Sequence, residues 1–285
     1  MKRAPLTLLV VAALLGVGGF AYVFFQKEPA PAPVVELAPK TEVVGTSVQG
    51  RAITAYTFGS GPRHLLFVGG IHGGYEWNSV LLAYQFIDYF TDNPGAVPAS
   101  LTVTIIPAAN PDGVYKVVGK EGRFTPAEVS TNAVVAASGR FNANNIDLNR
   151  NFDCKWQPNS TWRSEVVGAG SAPFSEPEAQ AVRDFVLRHL PDAVVFWHSQ
   201  ANAVYASECE AGVLPNTLVV MNAYASAAGY QAVDSFDAYE VTGDAEGWLA
   251  SIGIPAITVE LATHESVEWE RNFAGVKALF ELFDY

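Results

Sequence analysis

Five short apolar runs constrain this chain more than any other feature: AITAYTF (52–58), HLLFVGG (64–70), LTVTIIP (101–107), AVVFWHS (193–199) and PAITVEL (255–261). Each is shorter than an ordinary helix and rich in β-branched or aromatic residues, a pattern that reads as a buried strand. Segments with helical spacing lie between them, at about 76–91, 176–190, 214–228, 245–252 and 266–282. Strands and helices alternating over these lengths predict an α/β fold, a mixed and mostly parallel sheet sandwiched by helices. In such sheets ligands collect where strands end, so the residues just past the apolar runs carry the most information.

Composition narrows the function classes. The chain has 285 residues, 49% apolar and only 16% charged, which excludes an acidic disordered chain and leaves ample material for a core. Lys and Arg number 17 against 29 Asp and Glu, so the net charge is 17 − 29 = −12. That balance argues against nucleic acid as a partner, because neutralising phosphates needs a basic surface. It is compatible with cationic substrates, although solubility alone would also explain it.

Residues 4–26 contain no charge and follow Lys2 and Arg3. A helix of that length reaches about 34 Å, enough for one bilayer core. The reading is a membrane-spanning anchor within residues 1–27, with the basic end cytoplasmic and all that follows extracytoplasmic, periplasmic or extracellular. A cleaved signal, giving a secreted protein, is the alternative. Residues 28–40, EPAPAPVVELAPK, read as an extended Pro/Ala linker, so the catalytic domain is expected over 41–285.

The chemistry lies at the strand ends. HLLFVGG runs into IHGGYEWN, which places His72 just past a sheet edge and Glu76 at a helix start. The pair could share a metal ion, or His72 could simply cap the strand. Of the other histidines, His198 closes AVVFWHS at another strand end. Two imidazoles and one carboxylate leave the fourth tetrahedral position open, the arrangement of catalytic zinc. In NNIDLNRNFD (144–153), Asn149 and Arg150 form a donor pair suited to a carboxylate, unless Arg150 serves a structural Asp. Glu260 ends the run PAITVEL, where a carboxylate is costly without a role or a partner; a general base and an ion-pair partner both fit.

Taken in order, His72, Glu76, Asn149, Arg150, His198 and Glu260 make the chain resemble the zinc metallocarboxypeptidases, the group that includes carboxypeptidases A and T, over about 42–285. The motifs are IHGGYEWN, DLNRNF, WHSQ and TVEL, with AYEVTG and GRFNANNIDLNRNF as weaker matches. The resemblance implies one zinc ion per chain, held by His72, Glu76 and His198, with Glu260 as the general base and Arg140 polarising the scissile carbonyl. It implies that Asn149, Arg150 and a mobile Tyr239 hold the free terminal carboxylate of a peptide substrate. Glu246, with Asp244 as second candidate, falls in the region of the terminal side-chain pocket, where an acid would favour Lys, Arg or a diamino acid; a solvated helix start is the plainer reading. Cys154 and Cys209 follow two of the site motifs and are expected to pair outside the cytoplasm. Two features depart from the family pattern: HGGYE has three residues between His72 and Glu76 where two are usual, and only nine positions separate Arg140 from Asn149. The expected activity is hydrolysis of a C-terminal peptide bond. The rivals are a cell-wall peptide amidase or N-acyl-amino-acid deacylase of the same superfamily, and an inactive membrane-anchored peptide-binding module, which would have no use for Glu260.

Overall fold

An eight-stranded mixed sheet organises the structure, a computed structural model that describes residues 38–285. The expected anchor (1–27) and nearly all of the Pro/Ala linker lie outside the described residues. Among the described residues, no helix is long and apolar enough to cross a membrane. The chain runs through β1 (Lys40–Thr46), β2 (Ala52–Gly59), β3 (Arg63–Val68), α1 (Trp77–Asp92), β4 (Leu101–Ile106), α2 (Pro111–Val118) and α3 (Ala133–Ser138). A hairpin, β5 (Asn159–Trp162) and β6 (Glu165–Gly168), precedes α4 (Pro177–His189) and β7 (Ala193–Ser199). There follow β8 (Ala203–Ala206), a small ribbon of β9 (Glu208–Cys209) and β10 (Gly212–Val213), α5 (Pro215–Ala228) and β11 (Gln231–Val233). The last elements are α6 (Ala245–Ser251), β12 (Ala256–Leu261) and α7 (Trp269–Phe283).

The five apolar runs form β2, β3, β4, β7 and β12, and the five helical segments form α1, α4, α5, α6 and α7. Strand order is β1-β2-β4-β3-β7-β12-β8-β11. The central strands β4, β3, β7 and β12 are parallel to their neighbours in that group, as is the outer pair β8 and β11; β1 with β2, β2 with β4, and β12 with β8 are antiparallel. The sheet is therefore mixed, with its parallel part at the centre, where both faces must be covered.

Strand β7 shows why the sheet needs two helical layers, since all seven of its residues are buried. Alternation sends Trp197 to one face, where its ring stacks on Phe67 and Phe86 with centroids 5.2 Å away in each case. That face is closed by apolar side chains of α1, α5 and α7. Phe196 points the other way, into a second cluster with Phe185 of α4 and Trp248 and Leu249 of α6. Trp197 is 1% exposed, so Trp197→Ala would leave a large cavity in a packed interior. The expected cost is about 3–5 kcal/mol, read as a lower urea midpoint at unchanged slope.

For function the key consequence is that β3, β7 and β12 run parallel and end at one edge of the sheet. Their register sets Glu260 of β12 directly beside His198 of β7.

Candidate active site

After β3, Gly69 and Gly70 carry the chain to His72, which precedes a single 3-10 turn, Gly73–Glu76. Gly73 has φ +50, and a Cβ there would lie 2.5 Å from the Gly139 carbonyl oxygen, so only glycine fits. This left-handed residue, followed by a turn of tighter pitch than an α-helix, absorbs the extra residue of HGGYE and leaves Glu76 beside His72. The ligating atoms of His72, Glu76 and His198 all lie within 4.8 Å of one another, and all three residues are buried.

The surroundings fit a cation. His72 Nδ1 and Glu76 Oε2 are buried without a hydrogen-bond partner, and so is Glu260 Oε2. Each such atom would cost about 1–3 kcal/mol if nothing met it. Burial, then the charges of Arg140 and His198, hold His72 well below the usual imidazole range, so it is neutral and able to ligate. Burial acts the same way on His198, but the carboxylates of Glu76 and Glu246 outweigh it and hold that ring well above its usual value. Burial and the charge of Glu76 push Glu260 up to about 8. The carboxylates of Glu76 and Glu246 raise the proton affinity of His198, and Glu76 adds to that of Glu260; a dication among them would offset that local negative charge. Two imidazoles and a carboxylate are a donor set suited to zinc.

The triad opens into a cavity of about 620 Å³. Asn149 and Arg150 lie in its wall, on a short turn capped by Asp147. Asn149 Oδ1 accepts from the Ala245 N–H at 2.8 Å, and no described protein group pairs with its Nδ2. The Arg150 guanidinium is steered by the carbonyls of Thr161 (3.1 Å) and Asn149 (2.6 Å). Gly243, at φ +72, lets its segment approach so closely that a Cβ would lie 2.2 Å from the Arg150 carbonyl oxygen. Backbone bonds from Phe152 N–H to Gly243 O and from Gly243 N–H to Cys154 O join the two segments. Arg140 is buried beside Glu76, doubly bonded to Asp147 at 2.9 and 2.8 Å and covered by the Trp162 ring at 4.4 Å. Tyr239 lines the same cavity and meets Phe236 edge-on at 4.9 Å. Cys154 and Cys209 are joined by a disulfide with Cα atoms 6.0 Å apart, and Cys154 also lines the cavity.

Comparison with known proteins gives this arrangement its family. The model of the zinc carboxypeptidase family matches residues 38–280. The chain belongs to that family. Zinc is therefore its metal, metallocarboxypeptidase hydrolysis is its enzyme class, and the buried His-Glu-His triad is present. Gamma-D-glutamyl-L-diamino acid endopeptidase 1 of Lysinibacillus sphaericus is 24% identical over 244 residues, 77% of this chain and 60% of the endopeptidase. Carboxypeptidase B of Astacus astacus is 25% identical over 257 residues, 87% of this chain and 79% of its own length. Among solved structures, murein-tripeptide amidase MpaA from Escherichia coli O157 superposes with a TM-score of 0.61 at 23% identity, covering 87% of this chain and 92% of that one. Carboxypeptidase A from Helicoverpa armigera gives a TM-score of 0.66 at 18% identity, covering 87% and 68%. At these identities the structural likenesses establish the fold.

Within this family member the structure gives Glu246 further partners and adds residues that sequence reasoning passed over. Glu246 lines the cavity, and its Oε1 is already engaged: it lies 3.1 Å from His198 Nε2 and accepts from Thr258 Oγ1 at 3.0 Å. The reason is the docking of α6 against β12, which aims the first turn of that helix at the back of the imidazole. Asp244 caps α6 by accepting from the Gly247 N–H at 2.7 Å and stands on the cavity wall. Asp147 was present in DLNRNF without an assigned role; it is fully buried, 3.5 Å from His72 Nδ1, and holds Arg140. Tyr75 and Trp162 meet edge-on at 5.2 Å and both line the cavity, and no sequence pattern links them.

Proposed function

We propose that this chain is a zinc-dependent exopeptidase that hydrolyses the last amide bond of peptides carrying a free carboxylate, outside the cytoplasm. The observation that carries the reading is a buried His72-Glu76-His198 triad with Glu260 beside it and a carboxylate-binding pair, Asn149 and Arg150, on the same cavity. When bound to the triad, zinc supplies Lewis acidity and brings the pKa of water toward about 7. Arg150 and the Asn149 amide take the terminal carboxylate of the substrate, and Tyr239 covers it. Glu260 accepts the proton of the attacking water and returns it to the leaving amine. Arg140, held in place by Asp147 and Trp162, presents a fixed cation to the carbonyl oxygen as charge develops there. The Cys154–Cys209 bond supports an oxidising compartment.

The leaving residue is proposed to carry a side-chain cation, as Lys, Arg or a diamino acid does. Asp244 places an acid on the cavity wall, and one relative is named for a diamino acid and another for a murein tripeptide. Those names also favour a second reading, a cell-wall peptide amidase. Substrates with amidated C-termini separate the two, since a carboxypeptidase that relies on Arg150 loses them. For the terminal residue, peptides ending in Lys are expected to be cleaved faster than those ending in Leu. Asp244→Asn keeps a good helix cap, and it is expected to narrow that ratio about tenfold, the worth of one hydrogen bond to a charged group. Burial and the charge of Glu246 push Asp244 up to about 6, so the preference should fade as pH falls through that value and Asp244 takes up a proton. Faster release of Leu or Phe than Lys at neutral pH would refute the pocket assignment.

A further inference from the structure

We propose that Glu246 is a positioning residue for His198: by accepting the Nε2 proton it fixes the imidazole tautomer that turns Nδ1 toward His72 and Glu76. The inference rests on reading His198 as a zinc ligand. An imidazole bonded to a metal offers one nitrogen as a lone pair and keeps its proton on the other, so whatever faces the second nitrogen decides which one ligates. Here Nδ1 lies 3.1 Å from Glu76 Oε2, on the triad side, and Nε2 lies 3.1 Å from Glu246 Oε1, on the far side. Glu76 is itself a ligand in this reading, so a metal would take the Nδ1 lone pair on that side; a carboxylate only accepts, and the nitrogen facing Glu246 then carries the proton. The acceptor is itself held: Thr258, two positions before Glu260 in β12, donates to the same oxygen at 3.0 Å, and Glu246 is 3% exposed.

The arrangement also joins two tasks in one turn of helix. The N–H of Ala245 fixes Asn149, Asp244 stands on the cavity wall, and Glu246 faces the ligand. An acid that sits in the pocket wall and holds His198 cannot serve a substrate cation without loosening its grip on the ring.

The test is the zinc dissociation constant of the full chain, measured by competition with a chelator, for wild type, Glu246→Ala, Glu246→Gln and Thr258→Val. Glu246→Ala is expected to weaken zinc about 10- to 100-fold, the usual effect of losing a carboxylate behind a ligating histidine. Glu246→Gln, which keeps an acceptor and the volume but not the charge, should weaken zinc less, and Thr258→Val less again. Substituted cobalt(II) should show an altered visible spectrum in Glu246→Ala, partly restored in Glu246→Gln. If Glu246→Ala fails to fold, Glu246→Gln alone decides, by a several-fold loss. Zinc binding and cobalt spectra unchanged in the folded variants, with only the Lys-over-Leu ratio moving, would overturn the proposal and leave Glu246 as a pocket acid. His72→Ala is the control: retention of zinc there would sink the metal site itself, a failure distinct from that of Glu246.

Discussion

Glu260→Gln is expected to keep its zinc and its affinity for peptide while kcat falls about 10²- to 10⁴-fold, the usual worth of a general base. The side chain extends from β12 beside His198, so an amide of the same shape can occupy the space without accepting a proton. Burial and the neighbouring charge of Glu76 push the Glu260 carboxyl up to about 8 in the protein without a cation. At neutral pH that carboxyl would hold its proton and could not act as a base. A dication at the triad would stabilise the ionised form and so ready Glu260 as a base. The measurement is steady-state turnover of a peptide ending in Lys, beside zinc content by mass spectrometry. Turnover at the wild-type level would remove Glu260 from the chemistry, and loss of zinc in this variant would assign it to the metal shell instead.

The second large effect concerns the ligands. His72→Ala and His198→Ala are each expected to lose zinc on dialysis against a chelator and to lose hydrolysis with it. Three protein donors are close enough to share one ion, and two would not hold it tightly. Glu76→Gln is the sharper test, because the family spacing would place an acid one residue earlier. Here the placement depends on Gly73 at φ +50 and on the 3-10 turn that follows. Wild-type protein stripped of metal should regain activity on addition of zinc. A Glu76→Gln protein that binds zinc as tightly as wild type would show that the acid is not a ligand.

Legibility in the sequence followed burial. Runs such as AVVFWHS could be read directly because a strand covered on both faces is apolar at every position, and all seven residues are indeed buried. Strand β1, Lys40–Thr46, was not anticipated: it pairs only with β2, stays largely exposed and follows a Pro-rich stretch, so its composition carries no strand signal. The short edge strand β11, with two of its three residues exposed, was hidden for the same reason. Helix α2 escaped because its eight residues are few for a periodic pattern, although Asn110 caps it by accepting from the Gly113 N–H.

By itself the sequence determined the α/β class, the strand ends that carry His72, His198 and Glu260, and the polar loop that carries Asn149 and Arg150, because each depends on residue type and local spacing. Tertiary structure alone decided which partners those residues have. Asp147 holds Arg140 and flanks His72, Trp162 covers Arg140, and Glu246 meets His198 and Thr258 across 48 and 12 positions of sequence. The physical reason is that a ligand nitrogen, a proton acceptor and a charge are placed by which strands lie adjacent and which helix docks on them, and no local pattern encodes that adjacency.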